Sequence, residues 1–412
     1  MLARNLHNKI ESLLQQFPVV VIVGSRQCGK TTLARMVAPE WHYFDLERGS
    51  DRDLISRDFD FFFREYPHQV IIDEAQSLPQ LFTELRGVVD SDRTRRGRFL
   101  LTGSSSPELL KEVSETLAGR VAVVELGTLT MNERHTLPLS HLYDVLNNPT
   151  LSEHLTELRN LPVRLEYKQV LDHFLKGGYP EPTVVGSDQF QWQWSEQFHQ
   201  SYIMRDIRAL FPGLNVESYR RFILMLSQLS GTIINRSEIG RSLGVNESTV
   251  RNYLDIAQGT FIWRNIGSYE SKVIKSVVKM PRGYLRDSGL LHFLTDTYNR
   301  EQLFSRSGSG AAFEGFVIEE VIQGLECRIT LPWHYSYYRT RGGAEVDLVL
   351  RSPTGTIIPI EVKFGTTVKG GDLHTIRNFI EQEQAPYGIV LNNAEQVKML
   401  ADKVIQIPAG CL

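Results

Sequence analysis

Gly24-Ser25-Arg26-Gln27-Cys28-Gly29-Lys30-Thr31 stands between a short uncharged run, Pro18-Val-Val-Val-Ile-Val23, and Thr32-Leu33-Ala34-Arg35-Met36-Val37. The first run is β-branched and reads as a buried parallel strand; the second reads as the opening turns of a helix. Strand, glycine loop and helix in that order give the pattern G-x-x-x-x-G-K-[ST] the context a phosphate site needs. Glycines let successive backbone N–H groups converge on phosphate oxygens, and the helix N-terminus adds favourable partial charge. Lys30 is then expected to reach the β- and γ-phosphates, and the Thr31 hydroxyl to ligate Mg²⁺. The expected cofactors are ATP and Mg²⁺, with Gly24, Ser25, Arg26, Gln27, Cys28, Gly29, Lys30, Thr31 and Thr32 forming the binding loop. Because such a loop works through its backbone, the Cys28 side chain is expected to be incidental.

A second apolar run, Val70-Ile71-Ile72, delivers two consecutive carboxylates, Asp73 and Glu74. Strand ends of this kind border the crevice where α/β sheets bind ligands. Asp73 is expected to hold Mg²⁺ and Glu74 to orient or deprotonate the attacking water. Phe99-Leu100-Leu101-Thr102-Gly103-Ser104-Ser105-Ser106 is another buried strand, opening into hydroxyl residues. Placed between the two motif strands, it brings Thr102 or Ser104 near the γ-phosphate; the alternative is a capped loop ahead of Pro107.

Glycine loop, Asp-Glu pair and hydroxyl-bearing strand, in that order, resemble the AAA-type ATPases. The chain as a whole is similar to a prokaryotic family with this ATPase at the N-terminus and a nuclease-like domain at the C-terminus. Five segments carry the likeness: Leu101-Thr-Gly-Ser-Ser105, Leu117-Ala-Gly-Arg120, Gly177-Gly-Tyr-Pro-Glu181, Tyr284-Leu-Arg-Asp-Ser-Gly-Leu290 and Ala344-Glu-Val-Asp347. The resemblance implies that Arg120 is an arginine finger, in the same or a neighbouring subunit. A salt bridge at the start of the strand Val121–Glu125 is the other reading of Arg120. It also implies that Pro180, in Gly178-Tyr179-Pro180, touches the nucleotide from a lid; a plain turn is the alternative.

Length and composition set the bounds. At 412 residues the chain has room for several domains. A net charge of −3 gives no sign of a wholesale electrostatic nucleic-acid binder, although a local basic face remains compatible with it. Three separated cysteines, Cys28, Cys327 and Cys411, form neither a disulfide framework nor a metal pattern. They fit a reducing cytoplasm. No apolar run approaches membrane-spanning length, so a cytoplasmic protein without membrane contact is expected. The ATPase reading also leads us to expect a homo-oligomer.

The expected fold is α/β, in four parts: an AAA-type P-loop ATPase core over 1–135, a helical lid over 136–215, a winged helix over 216–304 and a PD-(D/E)XK nuclease-like domain over 305–412. Arg164–Leu175 and Gln189–Leu210 have the spaced apolar residues of lid helices. In 235–254, Ser237–Leu243 reads as a first helix, Gly244 as the turn, Asn246 as a cap and Ser248–Asp255 as a second helix. Phe261-Ile-Trp263 reads as a wing strand, and Thr249, Arg251 and Asn252 as candidate readers of a DNA groove. Segment 231–290 holds nine Lys/Arg against five Asp/Glu, a modest excess. Ser305-Arg-Ser-Gly-Ser-Gly310 reads as a linker or loop.

Asp347, on Gly343–Arg351, and Glu361-Val-Lys363, on Thr356–Lys363, look like the D-x(n)-E-x-K core of the PD-(D/E)XK fold. Such spacing recurs by chance; the setting on apolar alternating strands joined by the turn Ser352-Pro-Thr-Gly355 raises its meaning. Glu361 and Lys363, two apart on a strand, share a face. Clustered carboxylates on buried strands are costly unless they pair or bind a cation. A divalent metal on Asp347 and Glu361, with Lys363 as the catalytic cation, is therefore expected. Family resemblance adds Glu314 to the metal set, with Glu320 as its substitute. The other reading is a salt-bridged strand pair in a fold used for binding.

Two functions follow. The first is Mg²⁺-dependent ATP hydrolysis that moves the winged helix and nuclease-like domain, acting on DNA or other nucleic acid. The second is an ATP-operated switch or scaffold whose C-terminal domain grips a partner without cutting.

Overall fold

The computed structural model describes residues 2–104, 115–148, 150–202, 206–270, 279–329 and 331–412. The chain divides into two compact units. The first runs to Leu129 and takes in Tyr179–Glu181 and Leu254–Ile262; the second comprises Thr130–Gly178, Pro182–Tyr253 and Trp263–Leu412.

The first unit is built on five parallel strands, β1 (Val19–Gly24), β2 (His42–Asp45), β3 (Val70–Asp73), β4 (Phe99–Ser104) and β5 (Val121–Glu125). Their order is β2-β3-β4-β1-β5. Val19 to Val23 and Val70 to Ile72 are buried because parallel strands are covered on both faces. β4 pairs with β1 through Val19–Phe99 and with β3 through Val70–Phe99. It therefore stands between the two motif strands and brings their C-terminal ends together. One face of the sheet packs with Leu81, Phe82 and Leu85 of the helix Gln80–Ser91, and Phe261 belongs to the same core. Ser105 and Ser106 lie outside the described residues.

Nine strands form the sheet of the second unit: β6 (Thr232–Ile233), β7 (Trp263–Ser268), β8 (Arg282–Leu285), β9 (His334–Arg339), β10 (Glu345–Arg351), β11 (Ile357–Lys363), β12 (Gly388–Asn392), β13 (Lys398–Ala401) and β14 (Val404–Pro408). The order is β13-β14-β12-β11-β10-β9-β7-β8-β6. β6, β8 and β7 follow one another as antiparallel neighbours, and β7 joins the C-terminal strands through Gly267–Ser336 and Ser268–Tyr337. One continuous sheet thus crosses the boundary expected at 304/305. β10 and β11 form the expected hairpin, with Leu348 opposite Ile360. Their interiors are buried on both faces rather than alternating, because the helices Ser309–Glu326 and His374–Glu383 both pack on this part of the sheet.

Helix boundaries follow local chemistry. The capping box of Glu166 and Gln169 starts a helix at Tyr167, three residues later than the spacing suggests. Of the expected helix Gln189–Leu210, the described residues are helical over Asp188–Ser201 and Ile207–Leu210, and residues 203–205 lie outside the described set. The helix-turn-helix pattern is present: Arg236–Leu243, Gly244 with φ of 72°, then Glu247–Gly259. Asn246 caps as expected, accepting from the Thr249 N–H at 2.8 Å. Phe261 is not in a strand; its φ is 57°, and β7 begins at Trp263. Of the two readings of 305–310, the loop holds: residues 306–308 turn between two helices. Ser309 opens a helix, is buried, and donates its hydroxyl to the Leu303 carbonyl.

Candidate functional site

β1 ends in Gly24, where a side chain has no room: a Cβ would stand 2.2 Å from the Leu126 carbonyl oxygen. The loop then turns through Gln27 and Gly29 at φ of 61° and 99°, and the helix Lys30–Val37 opens without a side-chain cap. Its first N–H groups have no intrahelical partner, as phosphate binding requires. Lys30 is 4% exposed, and its ammonium donates to the Gly24 and Ser25 carbonyls at 3.2 and 2.9 Å. These short bonds hold the cation beside the loop. Arg26 reaches outward to Glu47 at 3.4 Å, and Thr32 is exposed on the first helical turn. Cys28 is fully buried and its thiol points to the Leu126 carbonyl at 3.4 Å.

Asp73 lies across the cleft with three hydroxyls on it. Thr31 and Tyr43 donate to Oδ2 at 2.8 and 2.7 Å, and Thr102 donates to Oδ1. Glu74 takes the left-handed conformation, φ 52°. Its carboxylate accepts from the Ser104 hydroxyl, the Ser104 N–H at 3.3 Å and the Gln76 amide. Burial pushes the Glu74 pKa up, but the Lys30 charge and the donors from Ser104 and Gln76 outweigh it, leaving it below its ordinary value. The group is thus an anion with a fixed direction. Of the two hydroxyls on β4, Thr102 serves Asp73 and the Glu74 N–H, whereas Ser104 serves the Glu74 carboxylate.

The chain's own residues fit ATP and Mg²⁺: an open loop, an uncapped helix start, a buried lysine, and a hydroxyl beside an aspartate. Pro180 belongs to this unit, and its ring comes 3.8 Å from where a Cβ on Gly29 would stand. Arg120 is elsewhere. Val121 pairs with Val19, five residues before Gly24, so Arg120 sits roughly 16 Å along the sheet from the loop. There it makes a two-pronged bond to Asp90, at 2.7 and 2.9 Å. The Arg120 bonds lower the Asp90 carboxyl to about 2.

In the second unit the carboxylates gather, but around a side chain of this same chain. The Arg282 guanidinium, on β8, lies 2.9 and 3.1 Å from the two Glu314 oxygens, 3.4 Å from Asp347, and against Glu345. Tyr284, two residues on, donates to Glu314. Gly315 makes this approach possible, since a Cβ there would meet the Tyr284 ring at 2.7 Å. Asp347 also accepts from the Val362 N–H at 2.9 Å, which ties β10 to β11. Lys363 bonds Glu361 at 2.6 Å, while the second Glu361 oxygen is buried without a hydrogen bond. Burial and the Asp347 charge push Glu361 up to about 8. Burial opposes the charge on Arg282, but Glu314 and its neighbours hold it above its ordinary pKa.

Among the described residues no group of three His, Cys, Asp or Glu is placed to hold a metal ion. The expected metal site on Glu314, Asp347 and Glu361 therefore meets a different arrangement. Its acids answer to Arg282 and Lys363, so a resident divalent cation does not fit. Glu320, the substitute acid, caps the helix Met131–Arg134 instead, with both oxygens 3.1 Å from the Met131 N–H.

Four contributors were missed in the sequence. Arg4 is buried and donates to the carbonyls of Cys28 and Gly127 at 2.7 and 2.8 Å, bracing the loop. Tyr43, Gln76 and Arg282 are the others. Only Gln76, two residues from Glu74, carried a local signal.

Residues 16–135 match the family model described as AAA domain, 167–301 a domain of unknown function (DUF8612), and 309–412 a domain of unknown function (DUF4143). Uncharacterized protein Rv2008c of Mycobacterium tuberculosis (strain ATCC 25618 / H37Rv) is 29% identical over 409 residues, 98% of this chain and 83% of that protein. Uncharacterized protein Mb2031c of Mycobacterium bovis (strain ATCC BAA-935 / AF2122/97) matches to the same extent. Among solved structures, the Walker-type ATPase paby2304 of Pyrococcus abyssi aligns at a TM-score of 0.41 and 15% identity, covering 71% of this chain and 95% of its own. The first unit is an AAA-type P-loop ATPase domain on a parallel sheet. Among the described residues no helix is long and apolar enough to cross a membrane.

Proposed function

We propose that this chain is an ATP-hydrolysing switch whose winged helix and nuclease-like domain engage nucleic acid without cutting it. One observation carries the reading: Lys30, Thr31, Asp73, Glu74 and Ser104 converge at one end of one sheet, with Glu74 ionised and aimed. Lys30 exchanges its loop carbonyls for phosphate oxygens and stabilises the charge that develops there. Thr31 and Asp73 would hold Mg²⁺, which would supply positive charge to offset that of the phosphates. Glu74 orients a water and accepts its proton, while Ser104 fixes the carboxylate. Pro180 closes on the loop beside Gly29.

The order of helix, β6, two helices, β7 and β8 supports a winged helix, and Arg251 and Asn252 are exposed on its second helix. Glu247 at the start of that helix already pairs with Arg236 at 3.3 Å, which dilutes its positive charge. The occupied carboxylates around Arg282 favour gripping over cleavage.

The test is ATP binding and turnover, with and without duplex DNA. Lys30→Ala should lose binding. Glu74→Gln should keep binding while turnover falls at least about a hundredfold. DNA should raise wild-type turnover. Equal turnover in Glu74→Gln would overturn the assignment of the base, and indifference to DNA would remove nucleic acid from the reading.

A further inference from the structure

A fold that collects acids from a helix and a strand into one buried place needs a cation there, because like carboxylates in low dielectric repel and are starved of water. Glu314 comes from the helix Ser309–Glu326, and Glu345 and Asp347 come from β10. A divalent metal would take several of their oxygens at about 2.0–2.6 Å. Instead the Arg282 guanidinium stands among them, both terminal nitrogens on Glu314 and one shared with Glu345 and Asp347. Its Nε donates to the Gly231 carbonyl at 2.8 Å, which fixes the plane of the fork. Arg339 meets the other Glu345 oxygen at 3.1 Å, and Lys363 answers Glu361. Glu361 keeps one unbonded oxygen, a single ligand where a hard cation needs several.

We propose that Arg282 is the resident cation of this acid cluster, occupying the place of a divalent metal, so that the C-terminal domain is metal-free when folded. A guanidinium stays charged under all ordinary conditions and offers a rigid planar fork that matches carboxylates. Unlike a bound ion it cannot be removed by a chelator. The source of this residue is informative: β8 belongs to the part of the sheet next to the helix-turn-helix, so the segment before the C-terminal strands supplies their counter-ion. This inference does not depend on the ATPase reading.

The test is Mn²⁺ binding to the nucleotide-free full chain, read from loss of the free-ion electron paramagnetic resonance signal. All samples carry Asp73→Asn, so that the nucleotide site contributes no ion. With Arg282 present we expect no saturable binding up to millimolar Mn²⁺, and melting temperature unmoved by Mn²⁺ or EDTA. Arg282→Met, similar in length and uncharged, should take up one Mn²⁺ per chain, raise its melting temperature with the ion, and lose both effects on addition of Asp347→Asn. Stoichiometric binding with Arg282 present, abolished by Asp347→Asn, would overturn the proposal. So would a folded Arg282→Met that binds no ion. Should Arg282→Met not fold, the Arg282-containing protein still decides: a Mn²⁺-induced melting shift that Asp347→Asn removes refutes the proposal, and its absence upholds it.

Discussion

Glu320 illustrates how one buried acid couples stability to pH. Both its oxygens receive the Met131 N–H, His173 stands 3.6 Å away, and Glu133 and Glu319 lie near enough to repel it. Burial, helped by those two carboxylates, lifts its pKa to about 8. The folded chain therefore keeps this proton to a higher pH than the unfolded chain, which releases it in the ordinary carboxylate range. Folding binds the extra proton between those values, so this group's contribution is largest below about pH 5 and falls until about pH 8. Melting temperature should drop by several degrees across that interval, and Glu320→Gln, which still accepts from Met131, should flatten the drop. An unchanged slope in the variant would show that another group governs it. At this scale the sequence was legible where chemistry is local. Gly24–Thr31, Asp73 and Glu74 announce themselves because each motif lies within a few residues. Tyr43 and Arg4 do not, because their partners Asp73 and Cys28 are far along the chain.

At the level of elements, the stretch from Leu254 to Ile262 counts with the nucleotide-binding unit although the chain reaches it late. Phe261 is 8% exposed and packs in the core that contains Val21, Ile72 and Leu101. Replacing it by Ala should cost about 3 kcal/mol and lower nucleotide occupancy through stability, measurable by chemical denaturation with and without ATP. A loss under about 0.5 kcal/mol would mean the core closes without it. Helices were readable from caps and spacing: Asn246 and Gly244 do what their residue types suggest. The strand expected at Phe261 was not, since a left-handed φ at an aromatic residue is set by packing and not by propensity. Nor could spacing tell a linker from the short turn before the buried Ser309, because serine and glycine suit both.

For the whole molecule, the α/β class and the N-terminal ATPase-like part were visible in advance, while the late segment that joins it was not. The place of β4 between β3 and β1 is implied by the motif chemistry, but β7 pairing with β9 has no signature in either segment. The position of Arg120 bears on assembly. Arg120 sits about 16 Å along the sheet from its own loop, bonded to Asp90, and we propose that any finger role would be toward the nucleotide of a neighbouring copy. Arg120→Ala should therefore reduce turnover at least tenfold with ATP affinity unchanged, and mixing it with Lys30→Ala should restore part of the activity. Failure of mixed samples to recover any turnover would leave Arg120 its structural bonds to Asp90 and the Ala118 carbonyl. The membership of Leu254–Ile262 in the first unit also sets an order of events on the ribosome. Phe261 emerges more than a hundred residues after Leu129, a delay on the order of ten seconds at ordinary rates of synthesis. Through that interval the nascent chain carries a finished phosphate-binding motif on an unfinished core, and a message truncated in that interval yields a client for chaperones.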